Sequence, residues 1–158
     1  MLDWLPDLLS LSDFGGSWPR YQEALYESFR LDFMGHRLMY RGLRVGMKKH
    51  PLIEGKEATF WHFISEGSIE ADRLPDLRRC ERIKWPRAII ENAESPEVLE
   101  WDNERKGERR TCLWVKEVDY LVVLAVREAY VLPWTAYLVT QPHQKNKLEK
   151  EYRDSLKG

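Results

Sequence analysis

The chain has 158 residues, enough for one domain with a substantial core, and its 43% hydrophobic and 32% charged residues are an ordinary balance for a soluble globular protein. No apolar run approaches the roughly 18 residues of a membrane-spanning helix, and Cys80 and Cys112 have neither metal-ligand spacing nor the density of a disulfide scaffold. Residues 1–11 are apolar but lack a basic leader, so we expect a cytoplasmic protein without a signal peptide.

The net charge of −1 conceals a local excess of positive charge. Residues 35–50 contain five basic residues and no acidic one, whereas residues 1–34 contain six acidic and two basic residues. Their alternating pattern predicts a short, basic β-hairpin. Such a hairpin suits a polyanion, most commonly nucleic acid, and a solvated surface hairpin explains it equally well. On the first interpretation, Arg41, Arg44 and Lys48 contact RNA.

The first half of the chain predicts a helical layer over residues 17–92, preceded by an N-terminal extension over residues 1–16. In residues 18–34, aromatic and leucine side chains recur every four residues, which is typical of a helix with one buried face. Ser17 stands where an N-cap is expected.

Residues 55–67 are bracketed by glycines and predict a second, short helix. Its apolar side chains form one stripe, and His62 projects on the opposite, polar side. There the imidazole is available for chemistry, or it pairs at the surface with Glu66 one turn later. Spacing alone leaves both interpretations open.

Residues 72–91 carry six basic residues. Asp76 is expected to cap a helix that begins at Leu77, and Pro86 should kink or end that helix. The basic side chains can hold phosphates or pair with neighbouring carboxylates. The candidates for bidentate phosphate contacts are Arg78, Arg79 and Arg82, and Arg82 and Lys84 are expected to contact RNA.

The second half predicts an antiparallel sheet over residues 97–140. Residues 98–102 form an edge strand, and residues 111–140 contain three apolar runs separated by short polar breaks. The middle run, residues 120–126, is nearly all apolar and should be the central strand and the most buried element of the fold. A C-terminal helix over residues 143–155 closes the chain.

Thr135 and Tyr137 put a hydroxyl and a phenol on the same face of the last strand. The chain has no Gly-rich phosphate loop, nucleophile elbow or zinc motif. The remaining inventory of His, Arg, Lys, Thr and Tyr suits the cleavage of RNA through its own 2′-hydroxyl, because that reaction needs only a base, an acid and cations.

Three segments carry a resemblance to a known group: GKEATFWHFISEG, DLRRCERIKWPR, and YLVVLAVREAYVLPWTAYLVT followed by HQKNKLEKEY. Together they resemble the phage- and prophage-associated nuclease-like proteins of the barnase–EndoU–colicin–RelE group, over residues 17–153. The resemblance implies an α+β fold in which N-terminal helices pack on a four-stranded antiparallel sheet, followed by a C-terminal helix. It also implies a metal-independent endoribonuclease without cofactor, often a toxin or phage-conflict effector, with RNA as substrate and a cognate antitoxin or inhibitor protein as candidate partner.

The resemblance assigns a role to each candidate residue. His62 would be the general base or acid, and Thr135 and Tyr137 would bind the scissile phosphate, with Tyr137 also a candidate for proton transfer. The developing charge would be stabilised by Arg79, Arg82 or Arg127. A two-residue turn before the last strand would put Arg127 on the face opposite Thr135, so Arg127 joins the site only if the turn is odd-length or the strand is bulged.

Two non-enzymatic interpretations compete with this one. The basic hairpin and the aromatic residues would also suit an RNA-binding module in which Trp and Tyr stack on bases. The seven tryptophans would equally supply the anchor of a protein-interaction module.

Overall fold

The computed structural model describes residues 2–67 and 73–157, and within them it shows an α+β fold. Five helices surround a mixed six-stranded sheet, and two short strands pair separately. Residue 72, at the start of the predicted segment 72–91, lies outside the described residues. None of the described helices combines the length and the hydropathy needed to cross a membrane.

The predicted first helix is α1 (Trp18–Arg30), and the chain continues from it through one π-helical turn, Leu31–Gly35. The Ser17 hydroxyl accepts a hydrogen bond from the Arg20 backbone N–H, as its position at the N-cap predicts. Tyr21, Leu25 and Phe29 have no exposed surface and form the buried face of the helix.

Three short helices follow: α2 (Ala58–Ile64), α3 (Leu77–Glu81) and α4 (Trp85–Glu91). Asp76 caps α3 by accepting a hydrogen bond from the Arg78 N–H at 2.9 Å. Pro86 does not end a helix. It occupies the first turn of α4, where its missing N–H leaves no intrahelical bond unmade.

The expected four-stranded antiparallel sheet is wrong in strand number and in type. The meander itself is present and comprises β5 (Leu99–Arg105), β6 (Glu108–Val115), β7 (Tyr120–Val126) and β8 (Tyr130–Leu138). The basic hairpin adds β1 (Met39–Tyr40) and β2 (Leu43–Val45), and β2 pairs in parallel with β8. The order is therefore β1-β2-β8-β7-β6-β5. The hairpin joins the sheet because Tyr40 and Val45 bury their side chains in the main core.

The remaining elements lie outside this sheet. Strands β3 (Ser65–Glu66) and β4 (Leu74–Pro75) pair with each other, and α5 (Pro142–Ser155) closes the fold. Helix α5 covers the sheet face opposite α1, α2 and α4, where Leu148 packs in a second apolar cluster.

Strand β8 contains a bulge at Trp134. Val123 of β7 pairs with Thr135, whereas the next residue, Leu124, pairs with Pro133, so Trp134 has no partner residue. The bulge shifts the alternation of side chains by one position along β8. As a result, Thr135 and Tyr137 lie on the α5 face, while Ala136 faces the main core.

The expectation that β7 is the most buried element is wrong. All seven residues of α2 are buried, against five of seven in β7. Val122 and Leu124 have no exposed surface, but Val123 is only half-buried because it lines a cavity on the α5 face.

The sheet curls so that its two edges meet at one end. Arg41, in the β1–β2 turn, forms ion pairs with Glu100 of β5 and with Glu94, at 3.1 Å in the latter case. The Tyr40 hydroxyl donates to the same Glu100 carboxylate. The segment expected as an N-terminal extension also packs onto the fold: the Trp85 indole donates to the Pro6 carbonyl, and Leu9 bonds through its N–H to the Glu81 carbonyl.

Candidate active site

Arg79 connects the C-terminal end of α2 to β8. Its Nη1 donates to the carbonyl oxygens of His62 at 3.1 Å and Ser65 at 2.8 Å, and it lies 3.4 Å from Thr135 Oγ1. The guanidinium carbon is 5.2 Å from the centre of the Tyr137 ring. Four of the predicted catalytic residues are therefore neighbours: Arg79 contacts the side chains of Thr135 and Tyr137 and the backbone of His62, whose imidazole packs against Trp134 of β8.

His62 is buried rather than projecting from a polar side, with 7% of its surface exposed. The sequence pattern gave α2 one buried face, but the helix is enclosed on all sides because it packs along β8 beyond the short reach of β2. His62 Nδ1 lies 3.2 Å from the Trp134 carbonyl oxygen. Since a carbonyl only accepts, Nδ1 carries the proton in this bond, and in the neutral ring Nε2 then carries the lone pair that a base needs.

Thr135 and Tyr137 lie side by side on β8, as the two-residue period of a strand requires. The Tyr137 hydroxyl accepts a hydrogen bond from Gln144 Nε2, in the first turn of α5, at 2.9 Å. The phenol therefore keeps its own hydrogen for donation to another group.

Arg127 meets the condition that places it on this face. Val126 pairs with Val131, and the bulge lies further along β8. Arg127 is therefore on the same face as Ala125 and Val123, and Val123 pairs with Thr135, so Arg127 and Thr135 share this face. The positive charge of Arg127 acts on Arg110 of β6: burial lowers the pKa of Arg110, the Glu108 carboxylate raises it, and the charges of Arg127 and Arg105 lower it.

Arg110 and Trp134 were not assigned roles from the sequence. The Arg110 guanidinium carbon lies 4.3 Å from the centre of the Trp134 ring, and Lys48 Nζ lies 5.3 Å from it. His62 packs edge-on against the same ring, with centroids 6.0 Å apart. A signal was present, because Arg110 lies on the same face of β6 as Cys112 and Trp114 and so puts a charge next to apolar residues.

The residues predicted to bind RNA do not form one surface. Lys48 reaches the site through Trp134, but Arg41 pairs with Glu100 and Glu94 where the sheet curls. The other three point elsewhere: Arg44 is exposed on β2, Arg82 stacks on Trp85 at 5.0 Å, and Lys84 precedes α4.

A cavity of about 240 Å³ lies on the α5 face beside this group. Its apolar floor includes Leu121 and Val123, and its polar lining comes from three strands. That lining comprises Asn103, Arg105, Arg110, Trp134, Thr135 and Tyr137. Within the described residues, no three His, Cys, Asp or Glu side chains are grouped so that they could hold a metal ion.

Comparison of the chain with family models, with curated proteins and with solved structures finds no match.

Proposed function

We propose that the protein is a metal-independent endoribonuclease that cleaves RNA through the substrate's own 2′-hydroxyl. The observation that carries the proposal is the position of Arg79, which holds the helix of His62 against the strand of Thr135 and Tyr137. In the proposed site, His62 would be the base, Tyr137 the proton donor and Arg79 the cation, beside a cavity lined by Arg105 and Arg110.

The hydrogen bonds of Arg79 leave part of its guanidinium for a substrate. All of those within the described residues are made by Nη1, so Nη2 and Nε can donate to phosphate oxygens. A planar guanidinium binds phosphate through two parallel bonds. Fixed donors of this kind stabilise the charge that develops on the phosphorane oxygens.

In the proposed reaction, His62 accepts the proton of the 2′-hydroxyl through Nε2 while the 2′-oxygen attacks the adjacent phosphorus. Thr135 orients the phosphate, and Tyr137 gives its hydroxyl proton to the departing 5′-oxygen. The bond from phosphorus to the 5′-oxygen breaks as the new bond forms. The products are a 2′,3′-cyclic phosphate and a free 5′-hydroxyl. The His62 imidazolium then releases its proton to water, and the Tyr137 phenolate takes one proton back from water.

The test is cleavage of single-stranded RNA in the presence of EDTA, with the cyclic phosphate identified by mass spectrometry. His62→Ala and Tyr137→Phe should each lower the rate by roughly 10²-fold or more, as for a positioned proton-transfer group. His143→Ala and Tyr130→Phe are matched controls, since both residues are exposed and lie outside the group. Wild-type rates in His62→Ala would sink the proposal, and so would loss of activity on chelation.

A second candidate is a non-catalytic RNA-binding module, favoured by the burial of His62 at 7% exposure. A structural histidine that ties α2 to the Trp134 carbonyl would have this environment. The module should bind RNA with strong salt dependence, leave it intact, and keep its affinity in a folded His62→Ala variant. Intact RNA after prolonged incubation with wild-type protein would favour this candidate.

A further inference from the structure

The α5-face cavity contains a hydrogen-bond donor without an acceptor. Arg110 is 92% buried, as its 8% exposure shows, and its Nη1 has no hydrogen-bond partner within the described residues. Its Nη2 donates to Glu108 at 2.6 Å, and its flat face rests on Trp134. The guanidinium is therefore fixed at the cavity with one nitrogen unused, although a buried polar group normally finds a partner.

The same cavity contains an acceptor without a donor. The amide nitrogen of Asn103 donates to Glu151 at 3.1 Å, whereas its Oδ1 is buried and has no partner within the described chain. A ligand that satisfies both groups presents an anionic oxygen to Arg110 and a hydroxyl or amine hydrogen to Asn103.

Arginine side chains line this cavity or act on its lining. Arg105 and Arg110 line it; burial lowers the pKa of Arg110, Glu108 raises it, and the charges of Arg127 and Arg105 lower it. Glu108 is the opposing carboxylate and is 46% exposed at its side chain. An incoming phosphate relieves the repulsion among the arginines, and it competes with Glu108 for Nη2.

We infer that the α5-face cavity binds one nucleotide of RNA next to the cleaved bond, with its phosphate on Arg110 and a hydroxyl or amine hydrogen on Asn103. The inference rests on the proposed function for the position of the cleaved bond. Thr135 and Tyr137 belong to the catalytic group and also line the cavity. Strand β8 would therefore lie beside two consecutive phosphates of the RNA, the cleaved one and the one bound by Arg110. Trp134 positions Arg110 by stacking rather than by contacting the phosphate.

The test uses a 2′-O-methyl RNA pentanucleotide, which lacks the attacking hydroxyl, and measures its binding by calorimetry. Each phosphate is replaced in turn by an uncharged methylphosphonate. At one linkage the replacement should weaken binding to wild-type protein by about 10- to 100-fold, the range expected for a lost bond to a charged donor. In Arg110→Gln the same replacement should cost less than about threefold, because the partner of that phosphate is gone.

Two further variants control for charge and for folding. Arg109→Gln removes the same charge from the adjacent position of β6, where the side chain pairs with Asp102 on the other face, and should leave the pattern of linkages unchanged. Glu108→Gln removes the competing carboxylate from an exposed position and should tighten binding. This gain cannot arise from unfolding, so it tests the site even if Arg110→Gln proves unstable.

Three results would overturn the inference: no binding of the pentanucleotide, equal sensitivity of wild type and Arg110→Gln at every linkage, or weaker binding in Glu108→Gln. Inorganic phosphate that binds as tightly as the pentanucleotide would assign the cavity to free phosphate instead. Cleavage activity is a separate readout. If one phosphate replacement weakens binding to wild type but not to Arg110→Gln, and no RNA is cleaved, only the proposed ribonuclease activity is refuted. If RNA is cleaved and no replacement depends on Arg110, only the nucleotide site is refuted.

Discussion

Replacing Arg79 by Gln tests whether this side chain fastens α2 to the sheet. The variant loses the two bonds from Nη1 to the carbonyls of His62 and Ser65, and it leaves those acceptors in a partly buried place. A hydrogen bond from a charged donor is worth about 1.5–3 kcal/mol net, and partial exposure of Arg79 reduces that value. Because the two bonds share one nitrogen, we expect a loss of about 2–4 kcal/mol rather than their full sum.

The assay is urea denaturation followed by tryptophan fluorescence, with Arg78→Gln as the matched control. Arg78 is the preceding residue of α3 and is exposed, so its replacement should change the free energy of unfolding by no more than about 0.5 kcal/mol. Arg79→Lys keeps the charge but loses the planar fork, and it should recover part of the stability and little of the cleavage rate. Equal stability of Arg79→Gln and Arg78→Gln would refute the argument that Arg79 holds α2 in place.

Three other predictions concern the core, the pH dependence and RNA contacts. Leu124→Ala should lower the free energy of unfolding by about 2–5 kcal/mol and Val123→Ala by less, since only Leu124 is fully buried; similar values in urea denaturation would contradict the two environments. Burial raises the pKa of Asp32 to about 6, so its carboxyl contributes stability below about pH 4 that is lost as the pH rises through 6. Asp32→Asn should therefore raise the melting temperature at pH 7.5 and not at pH 4, and an equal gain at both pH values would exclude a titrating Asp32. Lys48→Glu should weaken RNA binding and reduce its salt dependence more than Arg41→Glu, because Lys48 lies at Trp134 whereas Arg41 is paired with carboxylates. The assay is filter binding at several salt concentrations, and a larger effect of Arg41→Glu would show that the hairpin turn is the RNA contact.

Local patterns predicted the elements well because their causes are local. The apolar run 120–126 has the bounds of β7, and Asp76 caps α3 at the expected position. Pairing between distant segments was not predictable in this way. The parallel contact of β2 with β8 joins residues 44–45 to residues 130–131, and no periodicity within either segment specifies the partner.

The part of the candidate site that depends on local patterns was predicted, and the part that depends on contacts between distant segments was not. Thr135 and Tyr137 share a face because of the two-residue period of a strand, which is a local property. The burial of His62 depends on β8 lying against α2, so a helical wheel drawn from α2 alone gave the wrong environment. Arg110 was not singled out, although it lies on the same face of β6 as the buried Cys112 and Trp114.

The single extra residue at Trp134 also changes which sequence positions of β8 carry the core. Val131 and Pro133 are buried before it, and Ala136 and the core-facing Leu138 follow it, so the inward positions pass from odd to even numbers. Pro133, which lacks an N–H, stands where the ladder is already interrupted. If the same sequence paired with β7 in regular alternation, without the bulge, Thr135 and Tyr137 would point into the main core, whereas deletion of Trp134 would leave them on the α5 face. The bulge is thus as much a part of the site as the side chains themselves, because this sequence places Thr135 and Tyr137 on the α5 face only through it.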